Sequence, residues 1–128
     1  MSSAEINTVP CPVNVVAVRG DYLAWRVEIN VDCQVLDLTA YNYIAEVFQT
    51  TRRIDESNPC GGIVRVAKVT DLNVELDEAS DPKAIVLSLL PEQTEMLNSG
   101  CCYQWSLRWY GTDIKSIRTI SAGSITVI

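Results

Sequence analysis

Apolar and polar side chains alternate along most of this chain, with the period of two that is typical of β-strands. The clearest segment is 22–29, where every second residue from Leu23 onward is apolar. Other strands are predicted at 14–18, 42–50, 63–69, 84–90, 101–110, 114–120 and 124–128. About seven to nine short strands separated by regular turn signals are the pattern of an all-β sandwich.

The connections between these strands carry their own signals. Residues 91–98 predict one short helical turn, because Pro91 suits the first helical position and Glu92 favours the positive helix start. Residues 51–62 contain Asn58-Pro59 and Gly61-Gly62 and predict a long exposed loop. Ala122-Gly123 divides the last two strand segments and predicts a β-bulge.

The length of 128 residues fits one domain, and 48% hydrophobic residues can supply its core. We divide the chain into an extended N-terminal arm with a first strand at 1–18 and a sandwich at 19–128. A long loop or hairpin is inserted in the sandwich around 51–82. No apolar run approaches the roughly 20 residues of a membrane span, and the first residues lack the features of a signal peptide.

Charge and residue types exclude several functions. Ten basic against sixteen acidic residues give a net charge of −6, which argues against nucleic-acid and anionic-membrane partners. There is no histidine, so Ser-His-Asp and Cys-His arrangements and His-ligated zinc are excluded. Five irregularly spaced cysteines predict free thiols in a reducing compartment. We therefore predict no enzyme, no catalytic residues, no cofactor and no metal ligands.

Five short motifs follow one another in order along the chain. They are Gly-Asp at 20–21, Asp-Leu-Thr-Ala-Tyr at 37–41, Leu-Ser-Leu with Pro-Glu-Gln-Thr at 87–94, Tyr-Gln-Trp-Ser-Leu at 103–107 and Gly-Ser-Ile-Thr-Val at 123–127. Together they resemble the Ig-like domain of tailed-phage virion proteins, and they are similar to the N-terminal domain of baseplate upper proteins and related tail, neck and fibre-attachment modules. Ala40 departs from the glycine that this family often has.

The resemblance implies an Ig-like antiparallel β-sandwich and a non-enzymatic structural role in a bacteriophage virion. The chain would be a small connector, assembled in the host cytoplasm, that docks in multiple copies onto the tail, neck or baseplate. Its partners would be other virion proteins and further copies of itself. Two alternatives stay open: a capsid decoration or cement protein, and, from another class, a carbohydrate-binding module that contacts the host surface.

Candidate partner-binding residues lie in three places. The Pro-punctuated, mildly apolar arm offers a first group, which consists of Val9, Pro10, Pro12, Val13 and Val15. Arg52 and Arg53 project from the predicted loop and suit an acidic partner surface. Trp109, near a hairpin end, is a surface candidate, whereas Trp25 and Trp105 alternate in phase with apolar residues and are predicted in the core.

Two further motifs favour ordinary structural explanations. Arg19-Gly20-Asp21 spells an adhesion tripeptide, but its position before a strand favours a turn. An acidic stretch favours a solvated loop, since it lacks the spacing of a calcium loop, although it is the first place to look for a bound cation. Its members are Asp71, Glu75, Asp77, Glu78 and Asp81.

Overall fold

Two β-sheets make up the computed structural model, which describes residues 12–29, 38–55, 58–79 and 83–128, with the backbone alone at 52–55 and 58–64. The strands are β1 (Val15–Ala17), β2 (Leu23–Glu28), β3 (Asn42–Asp55), β4 (Asn58–Asp71), β5 (Asn73–Asp77), β6 (Ala84–Leu89), β7 (Cys102–Tyr110) and β8 (Arg118–Val127). One short helix, α1 (Pro91–Thr94), and two single-turn 3-10 segments, Leu38–Ala40 and Ile114–Ser116, complete the described elements.

The strand order identifies the architecture. The larger sheet has the order β1-β8-β7-β3-β4 and the smaller one β2-β6-β5. β1 runs parallel to β8, and every other described pair is antiparallel. Strands that alternate between two face-packed sheets in this order form an immunoglobulin-like sandwich. The predicted all-β, Ig-like fold is therefore confirmed.

β4 and β5 form an almost continuous stretch of chain that passes from one sheet to the other. β4 belongs to the larger sheet and β5 to the smaller, and only Leu72 separates them. Leu72 is buried, and its N–H donates to the Ala45 carbonyl at 2.9 Å. A strand that switches sheets in this way makes a corner of the sandwich.

The prediction of an exposed loop at 51–62 is wrong. The backbone there continues β3 to Asp55 and resumes β4 at Asn58, so the two 14-residue strands form a hairpin. β7 pairs with β3 only between residues 42 and 50, so the hairpin extends past the end of its neighbour. Gly61-Gly62, which suggested a turn, lies within β4.

The buried residues of β2 and β7 confirm the core that was predicted from the alternation of apolar and polar residues. Residues of β2 alternate between exposed and less exposed positions, and β7 buries Tyr103, Trp105, Leu107 and Trp109 on one face. Trp25 of β2 meets Trp105 of β7 with ring centroids 5.2 Å apart and planes at 63°, a favourable edge-to-face geometry. This pair links the two sheets on the strands that carry the inter-sheet disulfide in antibody domains.

Tyr103 closes the connection between β6 and β7. Its hydroxyl oxygen accepts the Asn98 N–H at 2.8 Å, and it stands two residues before Trp105. This arrangement matches the tyrosine corner of immunoglobulin domains. Burial raises the pKa of Tyr103, so its hydroxyl stays neutral at physiological pH.

The substitution Tyr103→Phe tests this corner. It leaves the Asn98 N–H without its acceptor while keeping the ring, so we expect the free energy of unfolding to fall by about 1–3 kcal/mol. Urea unfolding followed by tryptophan fluorescence measures the change. Tyr110→Phe, at the other end of the same strand, is the control; an equal effect of both substitutions would show that the corner hydrogen bond is not stabilising.

Three smaller expectations are corrected. The helical turn is shorter than predicted, since α1 ends at Thr94 and Glu95 is its C-cap. Residues 114–116 form a 3-10 turn, not part of a strand, and β8 is continuous from Arg118 to Val127. The bulge in β8 lies at Ile120 and not at Gly123, because Leu107 pairs with Ser121 while Arg108 pairs with Thr119.

Candidate functional site

The outer face of the larger sheet carries a charged cluster across three adjacent strands. Glu46 of β3 is its centre, with a side chain only 13% exposed. Arg108 of β7 donates from Nη2 to Glu46 Oε1 at 2.7 Å, and Lys68 of β4 lies 3.4 Å from Glu46 Oε2. Lys68 also pairs with Asp71 at 2.6 Å, and that contact raises the pKa of its ammonium group.

Two donors beside this cluster have no hydrogen-bond partner within the described chain. They are Ser106 Oγ and Arg108 Nε, both buried by neighbouring atoms. Ser106 lies directly opposite Glu46 in the register of β7 and β3, so the hydroxyl belongs to the same face. Buried polar groups are nearly always hydrogen-bonded, so these two atoms need an explanation.

An aromatic contact borders the cluster on the same face. Phe48 is two residues beyond Glu46 along β3, and the Arg65 guanidinium lies 4.3 Å from its ring centroid. The face therefore combines a partly buried ion pair, two unpartnered donors and a covered aromatic ring. The Glu46 carboxylate of this face is already paired with Arg108 and Lys68.

This cluster was not predicted from the sequence. Alternation places Glu46 and Phe48 on one face of β3, but it does not reveal which residues of β7 lie opposite. A signal was present: Glu46 is a carboxylate inside the otherwise apolar run 43–48, and Arg108 is the one cation in β7. Opposite charges in two strand interiors suggest a cross-strand pair.

Val13 and Val15, two of the predicted partner-binding residues, join the domain's own sheet, and their contact with a partner stays a prediction. Val15 pairs with Ile125 in the β1–β8 ladder. The Val13 N–H donates to Ala122 O at 3.0 Å, and the Val13 carbonyl accepts Trp105 Nε1 at 2.9 Å. Pro12 and part of the Val13 side chain remain exposed.

The other candidate residues of the arm and hairpin are only partly covered by the described structure. Val9 and Pro10 lie outside the described residues. Arg52 and Arg53 lie in β3 and not in a loop, because this strand continues to Asp55. Their side chains are outside the described part, so their contact with an acidic partner stays a prediction.

Trp109 was predicted at the surface, and this is wrong. It is 4% exposed and stacks on Tyr41, with centroids 4.2 Å apart and planes at 15°. Tyr41 lies between the 3-10 segment Leu38–Ala40 and β3, and it covers the ring from there. Trp105 is also fully buried in the core, and Trp25 is partly buried against it, so neither Trp105 nor Trp109 offers an exposed stacking face.

The adhesion-like tripeptide is a turn fastened to α1, in agreement with the structural explanation. Gly20 has a φ of 87°, and its N–H donates to the buried Thr94 Oγ1 at 3.0 Å. Thr94 Oγ1 also lies 2.8 Å from the Asp21 carbonyl, and Arg19 Nε donates to Glu95 O at 3.0 Å. These contacts join the start of β2 to the helix.

The described side chains of the acidic stretch contact different partners. Asp77 binds Arg26 at 2.6 Å, and the Glu78 carboxylate accepts the Leu38 N–H at 3.1 Å. Within the described residues, no group of three or more metal-ligating side chains comes together, and no helix is long and apolar enough to cross a membrane. Asp81 lies outside the described residues.

Comparison with known proteins finds similarity among solved structures. The BTLA ectodomain is 11% identical, with 94% of this chain and 95% of that chain covered and a TM-score of 0.48. A chain of the ZIG-8–RIG-5 IG1–IG1 heterodimer is 14% identical (93% and 84% covered, TM-score 0.36), and murine CRIg is 13% identical (94% and 97%, TM-score 0.37). No family model and no curated protein sequence matches the chain.

Proposed function

We propose that this chain is a non-enzymatic attachment module that binds another protein through the outer face of its larger sheet. The observation that carries the proposal is the pair of unpartnered donors, Ser106 Oγ and Arg108 Nε, beside the Glu46–Arg108 ion pair. The Arg108 side chain is 33% exposed, so the residue that carries one of these donors reaches the surface of the sheet. A carbonyl or carboxylate of a partner would then satisfy them.

The more specific proposal is a tailed-phage virion connector, present in several copies on the tail, neck or baseplate. It is supported by the order of the five sequence motifs, and an Ig-like sandwich is the fold that this resemblance implies. The same surface would serve a capsid decoration protein. The burial of Trp109 weighs against the carbohydrate-binding alternative, because it removes the exposed tryptophan on which that alternative depended.

Ser106→Ala and Arg108→Gln test the binding face. Ser106→Ala removes an unpartnered hydroxyl, so the free energy of unfolding should change by less than about 0.5 kcal/mol. Incorporation into assembled particles should nevertheless fall about threefold to tenfold, because one hydrogen bond to the partner is lost. Arg108→Gln should reduce incorporation further, since hydrogen bonds to charged groups are stronger.

The readout is the amount of the chain in purified particles, measured by quantitative mass spectrometry against the wild type. Arg118→Gln is the matched control, because Arg118 is an exposed arginine at the start of β8 in the same sheet. Wild-type incorporation of both test variants would refute the assignment of this face.

A further inference from the structure

A different surface exposes large apolar side chains at the end of the sandwich where α1 lies, which we call the α1 end. Nine large apolar residues are exposed in the described part, and five of them lie at this end with exposures between 42% and 70%. These five are Val18, Tyr22, Leu90, Met96 and Ile128. Isolated exposed apolar residues need no explanation, but a cluster of them marks an interaction site.

Strand pairing and hydrogen bonds place these residues together. The register Leu23 with Leu89 sets Tyr22 beside Leu90, one step beyond the β2–β6 ladder. Val18 lies in the turn closed by the Asp21 N–H, and the Ile128 N–H donates to Ala17 O at 3.0 Å, one residue earlier. Met96 follows Glu95, whose carbonyl accepts Arg19 Nε.

The charges around this apolar end are mostly negative. Asp21, Glu92 and Glu95 are exposed beside Tyr22, Leu90 and Met96, and one cation, Arg19, accompanies them. The surface therefore combines apolar area with an acidic rim. A complementary partner surface would therefore be apolar and carry positive charge.

The segment of the chain that suits this description lies on β4, where Arg65 stands over the Phe48 ring and Lys68 is already paired with Asp71 and Glu46. Residues 65–68 (Arg-Val-Ala-Lys) are all exposed, although successive side chains of a strand point to opposite faces, so neither face is covered there. Val66 is the extra residue of a bulge, because Gln49 pairs with Ala67 while Thr50 pairs with Arg65. A bulge and two cations disfavour strand addition at this edge, so the segment offers side chains to a partner.

The two surfaces are neighbours on one molecule. Gln93 of α1 donates from Nε2 to Thr70 Oγ1 at 3.0 Å and to Asp71 O at 2.8 Å, which fixes the helix beside β4. Thr94, the next residue, contacts the turn at Gly20 on the opposite side. Through Gln93, the helix at the acidic apolar end thus contacts the strand that carries the basic segment.

We propose that the α1 end is an interface between two copies of this chain. A two-fold contact brings residues 65–68 of each copy onto the acidic apolar end of the other, which makes the surface self-complementary. The contact between copies goes beyond the proposed function, and it shares two residues with the Glu46–Arg108 face: Lys68, which pairs with Glu46, and Arg65, which lies over Phe48.

Sedimentation equilibrium of the full chain, under reducing conditions that prevent disulfide cross-links, measures the dimerisation constant. The double variant Tyr22→Ser, Met96→Ser should weaken dimerisation at least about tenfold, as expected for truncation of central apolar contacts. Ile114→Ser is the matched control, since Ile114 is equally exposed but lies in the β7–β8 connection at the other end. A strictly monomeric wild type up to high micromolar concentration, or equal effects of test and control, overturns the proposal.

A charge exchange tests the pairing directly. Arg65→Glu alone, and Glu92→Lys with Glu95→Lys, should each reduce self-association, whereas an equimolar mixture of the two variants should recover a mixed dimer. Melting curves of each variant establish that it is folded. Failure of the mixture to associate, with both variants folded, contradicts the pairing even if the wild type dimerises. The proposed virion function is unaffected by either result, because it is measured by incorporation.

Discussion

Trp105→Ala should lower the free energy of unfolding by about 3–5 kcal/mol, the largest effect that we expect from a single substitution. Trp105 is 0% exposed and meets Trp25 across the two sheets. Its loss leaves a cavity between the sheets at the position where antibody domains have a covalent link. It also leaves the Val13 carbonyl without its donor. Urea unfolding measures the change.

Trp105→Phe separates the two contributions. A phenylalanine keeps most of the buried ring but cannot donate to Val13 O, so we expect a smaller loss, about 1–3 kcal/mol. The Trp25 fluorescence should remain native-like in this variant. Losses below about 1 kcal/mol for Trp105→Ala would contradict the view that the tryptophan pair holds the two sheets together.

Gly123→Ala should be the second most damaging change, with an expected loss of about 3 kcal/mol. Gly123 lies opposite Trp105 in the β7–β8 ladder, and a Cβ there would overlap the Val13 backbone. The N-terminal segment must then move away. This breaks the Trp105 Nε1 hydrogen bond and the pair of contacts between Asn14 and Ser124.

Gly111→Ala is the control for Gly123→Ala, because a Cβ at Gly111 meets no atom within 4 Å. Two readouts are informative: the unfolding free energy, and the hydrogen-exchange rate of the Trp105 indole N–H, which should rise only in Gly123→Ala. Indistinguishable behaviour of the two alanine variants would show that the segment around Val13 does not pack on Gly123.

Much of the fold could be predicted from local pattern. The period-two alternation in β2 and β7 located two strands and their buried faces, and it assigned Trp25 and Trp105 to the core. Pro91 marked the start of α1. These features depend on residues close together in the chain, so propensity and alternation are sufficient for them.

Features that depend on distant residues were missed or misassigned. Gly123 suggested a bulge. Its lack of a side chain instead leaves room for the backbone of Val13, more than a hundred residues away in the chain. Trp109 lies near a strand end, which suggested exposure, but Tyr41, the residue before β3, stacks on it. Turn-forming residues suggested a loop at 51–62, where cross-strand pairing instead continues two strands.

The candidate site could not be predicted from the sequence for the same reason. Glu46, Ser106 and Arg108 acquire significance only from the register that places β3 beside β7. Likewise, the exposed apolar residues at the α1 end are scattered from Val18 to Ile128 in the chain, and only strand pairing gathers them.

The position of this chain in assembled particles, determined by electron cryo-microscopy, tests the central claim most directly. The account predicts density for several copies of the sandwich, with the Glu46–Arg108 face of each against a neighbouring structural protein. Particles that lack the chain would contradict the proposed attachment function. Copies that leave this face open to solvent would contradict its assignment as the binding surface.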